Sequence, residues 1–373
     1  MAQTHFQNLD EESQALHDSW DHIVRIIVLV TMLAGIVWAV VTALRWLVHH
    51  ASETLLSQVS ASQGIQGASI LIGVLVAAGL VRGLLAKRKT WTDAMGDGME
   101  VTLQNYHLTY RDDIDEPQVR YEKPAFGLAA KKSLTTFLTL GSGGSGGLES
   151  PVVAISEAIA AGFSRVMRTA SEHELRTYQL SAISAAVATL LGAPFTAALF
   201  ATEIAYGDRI IYRKLAYALW AGVLAYILNS RLHGFSPLFS SPTHSPVYSM
   251  GEYGAAALVG LVVSVPIALG FAHALASAGR LIGRVESHWH SMITSLLIGI
   301  VALSLYFGIG LEPKHVLGMG EETIAGILSG DEYLNSWWLL ITILLGKMVT
   351  TGLTLRGGGS AGLLIPSMVF GGV

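Results

Sequence analysis

A chain of 373 residues with 51% hydrophobic and only 13% charged positions carries about half the charge of a soluble domain. That composition excludes an ordinary soluble globule and points to a membrane-embedded protein. The formal charge of -4 is too small to call for a nucleic acid or other polyanionic partner, and the absence of cysteine removes disulfides and thiolate metal sites.

The N-terminal segment, residues 1–21, contains Asp10, Glu11, Glu12, Asp18 and Asp21 but no Lys or Arg, so it lacks the basic region of a signal peptide. It is expected to be a cytoplasmic, amphipathic lead-in helix. Residues 23–48 and 68–86 are each long enough to cross a hydrocarbon core of roughly 30 Å at roughly 1.5 Å per residue. Further candidates are 181–206, 215–228, 253–276, 292–311 and 337–355. The connection 49–67 has no Lys or Arg, whereas 87–132 has eight, which places the longer connection and the N-terminus in the cytoplasm. An integral, multi-pass protein of the cell (inner) membrane is therefore expected.

The chain repeats itself at a shift of 215 residues. KSLTTFLTLGSGGSGGLESP (132–151) and KMVTTGLTLRGGGSAGLLIP (347–366) agree at twelve of twenty positions, among them Lys132/Lys347, Thr136/Thr351, Ser145/Ser360 and Pro151/Pro366. Low complexity accounts for the glycines but not for the Lys, Thr, Leu and Pro identities. A weaker echo, at a shift of 222, relates Gly96-Asp97-Gly98-Met99-Glu100 to Gly318-Met319-Gly320-Glu321. Two copies of a membrane unit with interrupted helices suggest a transporter whose ion site lies where the broken helices meet. The copies are taken as 22–236 and 237–373.

Within each broken segment the glycines let the chain leave regular structure, and Pro151 and Pro366 suit the first turn of a new helix. One helix is expected to start near Glu149, and its counterpart at Leu363 and Leu364. Their unpaired amides and positive dipole ends, each about half a unit charge, would point into the membrane and favour an anion. Neither supplies a full positive charge, which would hold a permeating ion too tightly.

At these residues a resemblance appears. GSGGSGGLESP resembles the Gly-x-Glu-x-Pro segment of the chloride channel/transporter (CLC) family, and GGGSAGLLIPSMVFGG resembles a later segment of that family. LGAPFTAALFATEI (191–204) and LEPKHVLGMGEETI (311–324) are similar to two more of its segments, in the same order over roughly residues 90–373. The resemblance implies an all-α membrane fold of two repeats in inverted topology, chloride as transported ligand, no cofactor, no enzymatic activity and a homodimer. It makes Glu149 the gate, whose carboxylate sits where the anion would sit. An intramembrane acid costs about 3 kcal/mol on insertion scales, so a functional role is its default reading, with simple capping of its own helix as the bland alternative. Backbone amides around Gly147, Leu148, Glu149, Leu363 and Leu364 are the implied anion ligands.

The sequence departs from the family pattern at three places. Asp97 stands in the first anion motif, where an ionised carboxylate at 4 Å would repel chloride by about 4 kcal/mol at an effective dielectric of 20. Ile204 follows Glu203 where proton-coupled members often carry a second glutamate, which leans toward a channel and leaves proton-coupled chloride antiport as the alternative. The family's anion-contacting tyrosine would lie beyond Val373. Extending the repeat by 215 carries the second copy about 70 residues past Val373, so a longer natural chain is expected, with residues 1–373 unstable or inactive alone.

Three other constellations have plainer readings. Glu172-His173-Glu174 and His288-Trp289-His290 lack helical ligand spacing and are expected to anchor at the membrane surface. Glu157 is expected to make an inter-helix contact. A remote alternative from another class, an intramembrane serine protease, would use Ser145 with His273, but a nucleophile need not be duplicated and Ser360 repeats Ser145.

Overall fold

The computed structural model describes residues 20–62, 64–99, 101–103, 125–168, 172–206, 211–234, 249–283 and 287–373. The lead-in segment lies outside them apart from its last two residues, as does the boundary between 236 and 237. Among the described residues the chain is helical with no strand, and it forms α1 (Trp20–Ala61), α2 (Ile65–Ala86), α3 (Ala125–Leu140), α4 (Glu149–Val166), α5 (Glu172–Leu191), α6 (Pro194–Tyr206) and α7 (Tyr212–His233). Then follow α8 (Met250–Val259), α9 (Val265–Ile282), α10 (Ser287–Ile309), α11 (Glu321–Ser329), α12 (Trp337–Arg356) and α13 (Leu364–Gly372). Among the described residues six stretches are long and apolar enough to cross a membrane, one of them the whole of α2.

Two expectations from the sequence need correction, and a third, the crossing at 253–276, holds within a longer helix. Residues 49–67 are not a connection, because α1 continues to Ala61. Its polar positions support the helix from within: His49 meets Glu53 one turn on at 3.0 Å, the Thr54 hydroxyl donates to the His50 carbonyl at 2.7 Å, and Leu55 and Val59 keep one face buried. Residues 181–206 are not one crossing. The helix ends at Leu191, Gly192 takes φ 66°, a left-handed turn that favours glycine, and Pro194 opens α6. Residues 253–276 belong to one longer rod, started by a capping box at Ser249 and Glu252 and carried through a π turn (Gly260–Ser264) just before Pro266.

Two cores result. One gathers α1, α3, α4, α5 and α7 and takes in Met319 and Ala361 from the later half; the other gathers the end of α1, α2, α10, α12 and α13. The first is dense in small residues: Ala182, Ala185, Ala186 and Ala188 of α5 and Ala218, Ala221 and Ala225 of α7 are buried. Small side chains let helix backbones approach closely, which is how helices adhere where lipid removes the hydrophobic driving force. Gly79 of α2 shows the same at α10, since a Cβ there would come within 2.5 Å of the Ser291 carbonyl.

Candidate functional site

The repeat is a physical symmetry. Gly147 and Gly362, equivalent at the shift of 215, form an antiparallel bridge, each amide donating to the other's carbonyl at 2.8 and 2.6 Å. Around it the contacts come in exchanged pairs. The Ser145 amide donates to the Thr354 hydroxyl at 3.1 Å, and the Ser360 amide to the Thr139 hydroxyl at 3.0 Å. The Ser145 and Thr351 hydroxyls are 2.9 Å apart, and those of Thr136 and Ser360 2.8 Å apart. Residue i on j and j on i is the mark of a two-fold relation, here between two halves of one chain.

The shift of 222 holds as well. Lys132 donates to the Gly96 carbonyl at 2.6 Å, and Lys347 to the Gly318 carbonyl at 2.8 Å. The Thr135 hydroxyl donates to the Ala94 carbonyl and that of Thr350 to the Val316 carbonyl, both at 2.7 Å. These buried lysines and threonines satisfy carbonyls of irregular backbone, which would be costly left bare inside a membrane.

At the centre of this frame, α4 and α13 begin. Leu148 and Leu363 occupy equivalent cap positions and neither helix has a side-chain cap. The first bonds of these turns run from Val152 to the Leu148 carbonyl at 3.0 Å and from Ser367 to the Leu363 carbonyl at 2.9 Å. Pro151 and Pro366 have no amide hydrogen, so each helix presents two amides without an intrahelical acceptor: Glu149 and Ser150 on α4, Leu364 and Ile365 on α13.

Glu149 is 5% exposed, and its Oε2 has no hydrogen-bond partner. The carboxyl folds back over Gly147, faces the backbone amide of Ile365 across the symmetry axis, and lies 3.1 Å from where a Cβ on Gly362 would stand. A carboxylate thus sits between two helix starts that favour negative charge. Its counterpart Leu364 is instead 38% exposed.

The structure brings Gly147, Leu148, Glu149, Leu363 and Leu364 together. Gly147 is corrected in one respect: its amide is spent on Gly362, so what it offers is the lack of a side chain where the Glu149 carboxyl rests. Asp97 lies a step away. Its carboxylate accepts the Met99 amide at 3.1 Å, satisfying its own turn, while a Cβ on the adjacent Gly98 would come within 2.9 Å of Ala154 on α4. Glu100 is outside the described residues. Glu157 accepts a hydrogen bond from Gln179 of α5 at 2.7 Å, the expected inter-helix contact. Ser145 is fully buried in its bond to Thr351, while His273 is exposed and bonded to its own helix at Leu269, so the pairing a protease would need is not formed.

Sequence reading missed Ser150, Ile365, Arg45 and Glu321. Arg45 and Glu321 form an ion pair at 3.3 Å beside the site. An arginine near the end of the apolar stretch 23–48 was the available signal for Arg45.

The sequence model of the voltage gated chloride channel family matches residues 78–373. The chain belongs to that family. Members of the voltage gated chloride channel family transport anions as channels or transporters rather than acting as enzymes, and anion transport across a membrane is accordingly this protein's activity. No curated protein matches the sequence. Among solved structures, a slow cyanobacterial Cl-/H+ antiporter is similar with TM-score 0.75 at 18% identity, covering 93% of this chain and 77% of that one. A CLC-type fluoride/proton antiporter gives TM-score 0.73 at 20% identity, over 95% and 80%. A eukaryotic CLC transporter gives 0.71 at 18%, over 95% of this chain and 59% of its own. These likenesses establish the CLC fold.

Proposed function

We propose that chloride or a similar small anion passes between the starts of α4 and α13, and that Glu149 gates this path as a tethered anion in a channel. The observation that supports this reading is the near-complete burial of the Glu149 carboxyl against Gly147, Gly362 and the Ile365 amide, where a free anion would be held by the same groups. When Glu149 is ionised it competes with the anion; when it is protonated or swung aside, the amides of Glu149, Ser150, Leu364 and Ile365, flanked by Leu148 and Leu363, are free to solvate the ion. Asp97 would act by capping its own turn, not as a ligand. Two units, 22–236 and 237–373, would contribute one helix start each, with the N-terminus in the cytoplasm of a cell membrane and two such chains in a homodimer.

Proton-coupled antiport is the second reading, favoured by the two antiporters of the same fold. Ile204, an uncharged residue after the exposed Glu203, speaks for the channel. Reversal potential in reconstituted vesicles under a pH gradient separates them. A channel leaves the potential at the chloride equilibrium value at every pH, whereas a shift with the proton gradient assigns antiport.

A further inference from the structure

Glu321 opens α11 next to the anion site. The Gly146 amide donates to the Gly318 carbonyl at 3.2 Å, so the segments leading into α4 and α11 lie side by side, and Met319 packs in the same core as Leu148 and Ala361. Glu321 also lines a cavity of 670 Å³ between the end of α1 and the turn before α11. Its partner Arg45, 3.3 Å away, donates in addition to the Leu190 carbonyl at 3.3 Å, which fixes the guanidinium.

These contacts place the charges of Glu321 and Arg45 beside the start of α4 that carries Glu149. The other ionisable groups nearby are engaged elsewhere. Lys132 of α3 and Lys347 of α12 hold backbone carbonyls, Glu157 of α4 holds Gln179, and α13 has no ionisable side chain. Along the cavity wall, His49 pairs with Glu53 at 3.0 Å and Lys314 with Glu312 at 2.7 Å, and His50 and Glu322 complete its ionisable groups. Glu321 thus belongs both to the cavity wall and to the ion pair with Arg45.

We propose that the Arg45–Glu321 pair is a positioning device that sets the pH at which Glu149 gates. The inference rests on the reading of Glu149 as the gate. Glu321 holds negative charge beside Glu149 and so favours the protonated, released gate; Arg45 neutralises part of that charge and favours the ionised, closed gate. The pair is only partly exposed, with side chains 32% and 24% accessible, so salt screens it incompletely.

The test is chloride efflux from vesicles containing the full chain, followed from pH 4.5 to 8 for the unaltered protein and for Glu321→Gln, Arg45→Gln and Glu149→Gln. If Glu149 is the gate, efflux by the unaltered protein is expected to rise as pH falls. The expected result is that Glu321→Gln moves the half-maximal pH down and Arg45→Gln moves it up, each by on the order of one pH unit, while Arg45→Lys restores the original midpoint. Both shifts vanish when combined with Glu149→Gln. Should Arg45→Gln fail to fold, the downward shift of Glu321→Gln alone carries the test. Midpoints that stay in place, or move in the same direction, overturn the inference while leaving the gate intact if Glu149→Gln still flattens the profile. A Glu149→Gln profile that keeps its pH dependence removes the gate reading itself, and this inference with it.

Discussion

Gly147 and Gly362 exchange both of their backbone hydrogen bonds, at 2.8 and 2.6 Å, across 215 residues of sequence. The starts of α4 and α13, between which the anion is proposed to pass, are thereby tied directly to each other by backbone. A Cβ on Gly362 would come within 3.0 Å of the Ser150 amide nitrogen and 3.1 Å of Glu149 Oε2. Gly362→Ala is therefore expected to lower chloride flux on the order of tenfold, the effect of about 1.4 kcal/mol, by intruding where the ion is held. Efflux from vesicles, normalised to folded protein, measures this; unchanged flux would place the ion elsewhere.

The two buried lysines do equivalent work. Lys132 on Gly96 and Lys347 on Leu317 and Gly318 satisfy carbonyls that have no helix to bond them. Replacing Lys132 by Met leaves the Gly96 oxygen bare, and replacing Lys347 by Met leaves that of Leu317 bare while Gly318 keeps the Gly146 amide, at about 1–3 kcal/mol for each bared oxygen. Lys132→Met and Lys347→Met should lower the unfolding temperature in detergent by similar amounts, of a few degrees. A large loss from one and none from the other would argue against equivalent roles.

His315 predicts an acid-sensitive joint between α10 and α11. Burial, with Lys314 adjacent, lowers its pKa from 6.5 to about 4, and its Nδ1 lies 3.1 Å from the Thr323 hydroxyl. The unfolded chain binds this proton near pH 6.5 and the folded protein only near 4, so the unfolded state holds more protons between those values and stability rises with pH there. The contribution is fully present above 6.5 and is lost as pH falls toward 4. His315→Gln should flatten the fall in unfolding temperature across that window; an unchanged pH profile would show that His315 titrates alike in both states.

Much of the site was legible in the sequence because its elements are local. Gly-rich breaks followed by Pro151 and Pro366 mark helix starts wherever they occur, and the duplication pointed to both. Partners across the axis were not legible. Twelve shared identities do not say that Ser145 meets Thr351 while Ser360 meets Thr136, since that follows from the crossing of the two segments in space. Arg45 and Glu321 stand 276 positions apart, and only the packing of α1 against the turn before α11 joins them. The extent of α1 was misread for a different reason: polar residues past His49 look like a loop, but they line the outer face of a continuing helix.

The central claim is that the Glu149 carboxylate occupies the anion's place, and chloride efflux from vesicles carrying Glu149→Gln against the unaltered protein, from pH 4.5 to 8, tests it most directly. A neutral side chain no longer competes as an anion, so the variant should conduct faster at neutral pH, on the order of tenfold, with a nearly flat pH profile. A folded Glu149→Gln protein that is silent, or that keeps the original pH dependence, would contradict the account.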